Sequence, residues 1–289
     1  MPLVTIDRER CNKDGLCARI CQKVFAQETK GSIPSVAHEG SCNSCGHCVL
    51  VCPAGAVSQV DSPLENVHPT KADLLPSYDQ VRELIVSRRS IRTFQEKPVE
   101  KESILKIIDG ARFAPSLKNS QSTRFTVIQD RVLLNAIAAS TAAWLGKVAR
   151  RLKNPLWRKL YTLRGEKDVK QVMRWIEQLA VMAEKMDKNI DLVLFGAPLL
   201  LLFHADKTLR SADVNATLAL HNATMIASSL GLGSFYTGYV MTALNHDRSI
   251  PRLIDLPRGQ RVYGGLAVGY PSIRFSRWID RKPPQIRWM

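Results

Sequence analysis

Apolar and polar positions alternate along this chain with a helical period in some stretches, a strand period in others, and almost no period between residues 61 and 77. In DQVRELIVSRRSIRTFQEKPV, residues 79–99, Val81, Leu84 and Ile85 recur at the spacing of one helix face, predicting a helix that stops in the Ser/Arg stretch before Pro98. The next stretch, IIDGARFAPSLKNSQSTRFTVIQD, runs from an apolar helix through Ala114-Pro115-Ser116 into a strand over Phe125–Ile128. From near Asp213 a segment rich in Ala, Ser and Leu reads as a buried helix with Gly231 as its C-terminal cap, and His221 within it as a packed core histidine. The longest apolar run, Leu192–Phe203, is about a dozen residues broken by Pro198, too short to cross a bilayer.

The aperiodic stretch DSPLENVHPTKADLLPS holds Pro63, Pro69 and Pro76 with mixed charge, the composition of an extended linker. It divides the chain into a small domain over 1–62, a linker over 63–78 and a larger domain over 79–289. With 289 residues and 45% hydrophobic content, a moderate core and a small companion are both affordable. Charge follows the same division. The net charge is +15, yet residues 1–78 carry seven Lys and Arg against eight Asp and Glu, so the whole excess lies in the second part. The N-terminus lacks the basic-then-apolar layout of a signal peptide, so a cytoplasmic protein with no transmembrane segment is expected.

All seven cysteines lie between residues 11 and 52. An odd number in a chain expected in a reducing compartment fits disulfides poorly. Cys42, Cys45, Cys48 and Cys52 could form a zinc tetrathiolate, but SCNSCGHCVLVCP is the full C-x2-C-x2-C-x3-C-P run. That spacing favours iron–sulfur chemistry, with three sulfurs on one cluster and the fourth reaching another. In the earlier run, CNKDGLCARIC, Cys11, Cys17 and Cys21 hold the same places while Asp14 replaces the second cysteine.

Over roughly residues 3–60 the chain resembles the two-cluster bacterial ferredoxins. The resemblance implies one 4Fe–4S cluster on Cys21, Cys42, Cys45 and Cys48, and another on Cys11, Cys17 and Cys52 with Asp14 facing its fourth iron. A carboxylate is a harder and weaker partner for sulfide-bound iron than a thiolate. Asp14 therefore either ligates a labile fourth iron or is a solvated loop residue beside a 3Fe–4S cluster.

In Arg88, Arg89, Ser90, Ile91, Arg92, alternate residues of an extended segment point the same way, so Arg88, Ser90 and Arg92 could meet one anion. GLGSFYTG, beginning at residue 231, is no dinucleotide fingerprint, because its third glycine comes late and a helix precedes it where a strand should. Together, R-x-S-x-R at 88–92, A-P-S-x-x-N-x-Q at 114–121, GLGSFYTGYV at 231–240 and GGLAVGYPSIRFSRWIDRKPP at 264–284 resemble the flavin-dependent nitroreductase family. The likeness covers about residues 79–285.

That resemblance implies a homodimeric α+β fold with FMN across the subunit interface, following the small ferredoxin-like domain. Arg88, Arg89, Ser90 and Arg92 would meet the flavin phosphate or ring edge, and Asn119 and Gln121 would lie at the ring. Thr237-Gly238 would present backbone to the reactive nitrogen, with Arg281 and Lys282 closing on the phosphate. No side chain stands out as a catalytic acid, base or nucleophile, so the chemistry is expected to belong to cofactors. The expected activity is reduction of a small electron-poor acceptor, such as a nitroaromatic, quinone or activated alkene, by electrons passed singly from the clusters to FMN. NAD(P)H reducing FMN directly, with clusters carrying electrons outward, and a non-catalytic electron-transfer or redox-sensing module are the alternatives.

The segment over 141–189 carries 12 basic and five acidic residues with Leu, Trp and Tyr interleaved. Three readings compete for it: a solvated helix pair over the substrate pocket, a docking surface for an acidic electron donor, and a membrane-surface or nucleic-acid contact. A nucleic-acid partner is not expected.

Overall fold

The computed structural model describes residues 2–163, 169–247 and 249–289. The chain forms two compact units, one taking the chain up to Pro76 together with Ser116–Ser120, the other Ser77–Pro115 with Gln121–Met289. The division thus falls within the aperiodic stretch, which is not wholly extended: it makes single 3₁₀ turns at Leu64–Asn66 and Ala72–Leu74.

The first unit is built on short elements: β1 (Val4–Ile6), α1 (Leu16–Ile20), β2 (Phe25–Ala26), β3 (Ser35–Val36), α2 (His47–Leu50) and β4 (Val57–Gln59). β1 pairs antiparallel with β4, bringing the two ends of the unit together at Val4 and Gln59, and β2 pairs with β3. Val4, Val24, Phe25, Val49 and Val57 are buried with the thiols of Cys17 and Cys48. So small an apolar core is marginal by itself.

The second unit comprises α3 (Tyr78–Ser87), α4 (Lys101–Arg112), β5 (Arg124–Ile128), α5 (Arg131–Lys153), α6 (Pro155–Leu163), α7 (Val169–Asp187), β6 (Leu199–Asp206), α8 (Ala212–Ser229), β7 (Gly233–Tyr236), α9 (Gly238–His246), α10 (Ile250–Leu253) and β8 (Gln260–Gly269). The strands form one antiparallel sheet in the order β5-β6-β8-β7. β6 is apolar throughout its buried length because both faces are covered: Leu200 and Leu202 pack on the side of α5 and α9, Leu199, Leu201 and Phe203 on the side of α4 and α8.

Local chemistry explains where these helices begin and end. Ser77 caps α3 through the Gln80 N–H while Gln80 answers the Ser77 N–H, a reciprocal capping box. Asp130 caps α5 through the Leu133 N–H, and Arg150, Arg151 and Lys153 sit at its negative end. α8 closes at the expected glycine: Gly231 takes φ 72°, its N–H reaches Ser228 O, and the Leu232 N–H reaches Ala227 O, a Schellman ending. α5 is the one described helix long and apolar enough to cross a membrane by composition, but 44% of that stretch is packed inside the protein, as in a core helix.

His221 departs from expectation. It lies on an exposed face of α8, its Nδ1 3.4 Å from the Tyr236 hydroxyl. The alanine-rich stretch buries Ala216, Ala219, Leu220, Ala223 and Ala227, and His221 follows Leu220 by 100°, off that face.

Candidate functional site

The 88–95 segment runs alongside the sheet, tied by the Ile91 N–H to Ser234 O and the Gln95 N–H to Tyr270 O. This places its arginines at two different hollows. Arg92 faces a hollow of about 580 Å³ walled by Phe195, Phe235, Tyr236 and Tyr239, floored by Thr237 and Gly238, and closed by Gln178 and Met182 of α7. Its guanidinium stands 5.8 Å from the Phe195 ring centroid and 5.6 Å from that of Phe235. Arg88 and Arg89 line a smaller hollow of about 260 Å³ with Arg274, Ser228 and Ser234.

Arg88 and Arg92 therefore do not line one hollow, contrary to the alternation argument. Four residues of extended chain span about 13 Å, so side chains on one face can still be too far apart for a single phosphate. Ser90, between them, forms a parallel bridge with Ser234. The Arg88 Nε is buried without a hydrogen-bond partner. A buried guanidinium nitrogen left unpaired costs free energy, and an anion would relieve that cost.

Thr237-Gly238 forms the start of α9 at the floor of the larger hollow. The Thr237 N–H donates to Gly265 O at 2.9 Å, and its hydroxyl is buried beside Gly265 without a partner. A Cβ at Gly238 would meet nothing within 4 Å, so the helix's first turn, whose N–H groups have no intrahelical acceptor, borders open space.

Asn119 and Gln121 sit in a strained loop: Lys118, Asn119 and Gln121 all have positive φ. Within the first unit, Asn119 Nδ2 donates to Ser44 O at 2.7 Å, so the hydrogen bond expected toward a flavin ring is made to backbone. Gln121 is exposed. Arg281 and Lys282 lie in the exposed C-terminal segment beyond β8, away from both hollows; Trp278 of that segment is held beneath Arg82 of α3, 5.2 Å from guanidinium to ring.

In the first unit all seven cysteines are free thiols. Burial pushes the Cys17 thiol above its usual range, and Cys11 and Cys52 stand close enough to add repulsion. Burial likewise raises Cys48, to about 11, with Cys42 and Cys21 as its charged neighbours. The thiols thus fall into the two groups expected from their spacing. Backbone N–H groups of Ser44 and Ala56 donate to the Cys42 and Cys52 sulfurs at 3.4 and 3.3 Å. Among the described residues no three His, Cys, Asp or Glu side chains converge to hold a single metal ion. Asp14 is exposed, and its Oδ1 accepts the Leu16 N–H at 2.9 Å.

Several residues of the larger hollow escape sequence reasoning. Phe195, Gln178 and Met182 come from a loop and a helix with no motif, and Arg274 has only its basic neighbours to mark it.

The description of the nitroreductase family matches residues 85–270. Among characterised relatives, an FMN reductase [NAD(P)H] of Bacillus subtilis is 25% identical over 201 residues, covering 69% of each chain. A nitrobenzene nitroreductase of Ectopseudomonas oleovorans is 26% identical over 222 residues, covering 73% of this chain and 92% of the relative. Two solved structures share the fold: an FMN-bound nitroreductase of Bacteroides fragilis (TM-score 0.54, 19% identity, 72% of this chain and 99% of that one) and oxidised iodotyrosine deiodinase bound to FMN and 3-iodo-L-tyrosine (TM-score 0.52, 20% identity, 72% and 98%). With more than half of the chain matched by the family description, and with the sheet and helices that carry the hollow lying within the match, the protein belongs to the nitroreductase family.

Proposed function

We propose that the protein is an FMN-dependent oxidoreductase reducing a small, flat, electron-poor acceptor, with electrons supplied one at a time through iron–sulfur clusters in the first unit. The observation that carries the flavin part is the aromatic hollow over Thr237-Gly238, with a positive charge held at its wall by Arg92. Its volume lies in the range of small-molecule and cofactor sites.

FMN, when bound, supplies a centre that takes up electrons singly or in pairs and delivers two to an acceptor. The chain's part is to hold and orient. In this reading Arg88, with its unpaired buried Nε, and Arg89 and Arg274 bind the phosphate as charge-assisted donors. Gly238 lets the first backbone N–H groups of α9 approach the ring, since no side chain intervenes. Phe195, Phe235 and Tyr239 exclude water and offer faces on which a flat acceptor can stack. Arg92 favours whichever bound species carries more negative charge. A homodimer belongs to the same reading and is supported by α3, which buries none of its residues although Val81, Leu84 and Ile85 recur on one face. Arg281 and Lys282, distant from both hollows of their own chain, would then act at the partner's site.

Iron–sulfur clusters supply single-electron transfer. The two groups of buried thiols, free of disulfides and receiving backbone N–H groups at sulfur, support their presence. The thiols of a cluster surround several irons and sulfides, so they need not converge as ligands of one ion do. In the group of Cys11, Cys17 and Cys52, Asp14 turns its carboxylate to the Leu16 N–H, which supports a three-iron cluster or an exchangeable fourth iron.

Anaerobic purification with iron, sulfide and FMN assay, followed by EPR before and after dithionite reduction, tests the cofactor content. About one FMN and about seven or eight irons per chain are expected. Zinc in place of iron removes the electron-feeding part, and absence of FMN removes the whole reading. Turnover requiring reduced ferredoxin supports this electron path; turnover with NAD(P)H alone supports the opposite direction, in which the clusters carry electrons outward.

A further inference from the structure

α6 turns an apolar stripe outward. At 3.6 residues per turn, Leu156, Leu160 and Leu163 fall within about 60° of one another, and they are 78%, 36% and 74% exposed. Trp157, at the border of the stripe, is 41% exposed with the Arg151 guanidinium 5.6 Å above its ring. A helix of a folded domain ordinarily turns such a stripe inward. The charge around it is one-sided: from Lys147 to Leu163 the sequence holds six Lys and Arg and no Asp or Glu. Some of that charge is answered by α7, since Lys153 pairs with Glu177 at 3.1 Å, but Arg158 and Lys159 sit on α6 itself. The stripe and the basic end of α5 are adjacent in the chain, separated only by Asn154, whose Oδ1 accepts the Leu156 N–H at 2.9 Å and starts the helix.

Charge complementarity limits what can cover this face. A second copy would bring the patch against itself under two-fold symmetry, setting positive charge on positive charge. An acidic protein would answer the charge but leaves the three leucines unexplained. An anionic lipid surface answers both: leucines enter the acyl boundary, Trp157 sits at the headgroup level, and Lys and Arg stay among the phosphates. We propose that α6 and the basic end of α5 form a docking site for an anionic membrane surface, on which the protein lies without spanning it.

The test is sedimentation of the full-length protein with phosphatidylcholine vesicles and with vesicles containing phosphatidylglycerol. Binding is expected on the anionic vesicles, weakening at high salt, and little on the neutral ones. The variant Leu156→Gln/Leu160→Gln/Leu163→Gln, whose changes lie at exposed positions, should partition at least about tenfold less while keeping its thermal midpoint. Arg158→Gln/Lys159→Gln should bind more weakly on anionic vesicles and provides a second route should the leucine variant fail to fold. No binding to anionic vesicles at low salt overturns the proposal. So does undiminished binding by the leucine variant, which would leave charge alone, or a change in its oligomeric state without vesicles, which would assign the face to a second copy.

Discussion

Gly264 and Gly265 are neighbours in β8 that face opposite layers, and replacing each by alanine should separate stability from cofactor binding. A Cβ at 265 would lie 2.2 Å from Thr237 Oγ1, where ordinary contact begins at 3.4 Å, so the threonine has to yield by about 1.2 Å. Thr237 is 2% exposed, β-branched and tied by its N–H to the Gly265 carbonyl, so it has no free rotamer or slack backbone to retreat into. Overpacking of this kind costs about 1–3 kcal/mol, and here the displaced residue carries Gly238 and the start of α9. A Cβ at 264 meets instead the Leu220 Cδ1 at 2.5 Å and the Phe203 Cβ at 3.5 Å, in the layer of α4 and α8. Both variants should lose stability in denaturant melts. Only Gly265→Ala should also weaken FMN, by about tenfold if some 1.4 kcal/mol of the strain is felt at the site, as read by quenching of flavin fluorescence on titration into apoprotein. Equal FMN affinity in Gly265→Ala and wild type, or a loss as large in Gly264→Ala, would refute the placement of the flavin over Thr237-Gly238.

Arg88→Ala should weaken FMN by about tenfold or more, since a hydrogen bond to a charged group contributes about 1.5–3 kcal/mol, and Arg88→Lys should restore only part of it; calorimetric titration reads both. His204 is buried between Thr126 and Gln260, and burial holds its pKa below the usual 6.5. The unfolded chain then takes a proton that the fold resists, so stability is full above about pH 6.5 and falls as pH drops below it; thermal midpoints of His204→Gln should lack that slope. The Tyr270 hydroxyl, with Lys97 beside it, lowers Glu100 to about 2 from 4.5. Its contribution is present above pH 4.5 and lost as pH falls toward 2, so Glu100→Gln should flatten that acid limb in pH-dependent melts. Asp14→Cys should raise the iron content by about one per chain if the first cluster has three irons, with loss of the oxidised three-iron EPR signal.

What the sequence made legible was whatever local chemistry decides. The strand expected at Phe125–Ile128 forms as Arg124–Ile128, and the helix from near Asp213 to its Gly231 cap forms as Ala212–Ser229. In the run Leu192–Phe203, the interrupting Pro198 immediately precedes β6, where its missing N–H removes no bond from the ladder. The larger hollow was only partly legible. Thr237 and Gly238 belong to a motif, but Phe195 takes a positive φ in a loop and Gln178 and Met182 arrive from α7, and no periodicity joins positions so distant in the chain. The alternation of Arg88 and Arg92 gave their direction along the strand but not their separation, and it was separation that assigned them to different hollows. His221 failed for a related reason: a run rich in small apolar residues does not reveal which of its faces a single polar residue occupies until a neighbouring layer is known.

The two cysteine runs show how far backbone geometry can carry a reading that side chains alone leave open. Lys13 and Ser44 both take a positive φ, 63° and 55°, and Gly15 and Gly46 follow at 70° and 74°, each opening a short helix that buries the next cysteine of its run, Cys17 or Cys48. Residues 11–17 and 42–48 are therefore one loop built twice, and the chain tolerates left-handed Lys and Ser in it, at an energetic cost neither residue type recovers locally. The strain is the same whether position 14 or 45 carries a carboxylate or a thiol, so Asp14 is a change of side chain on a conserved path of backbone. On that path the carboxylate has a local partner in the Leu16 N–H that a thiol could match only weakly. The loop thus offers position 14 a choice between capping α1 and facing the group held by Cys11, Cys17 and Cys52, and aspartate is the residue for which capping competes best.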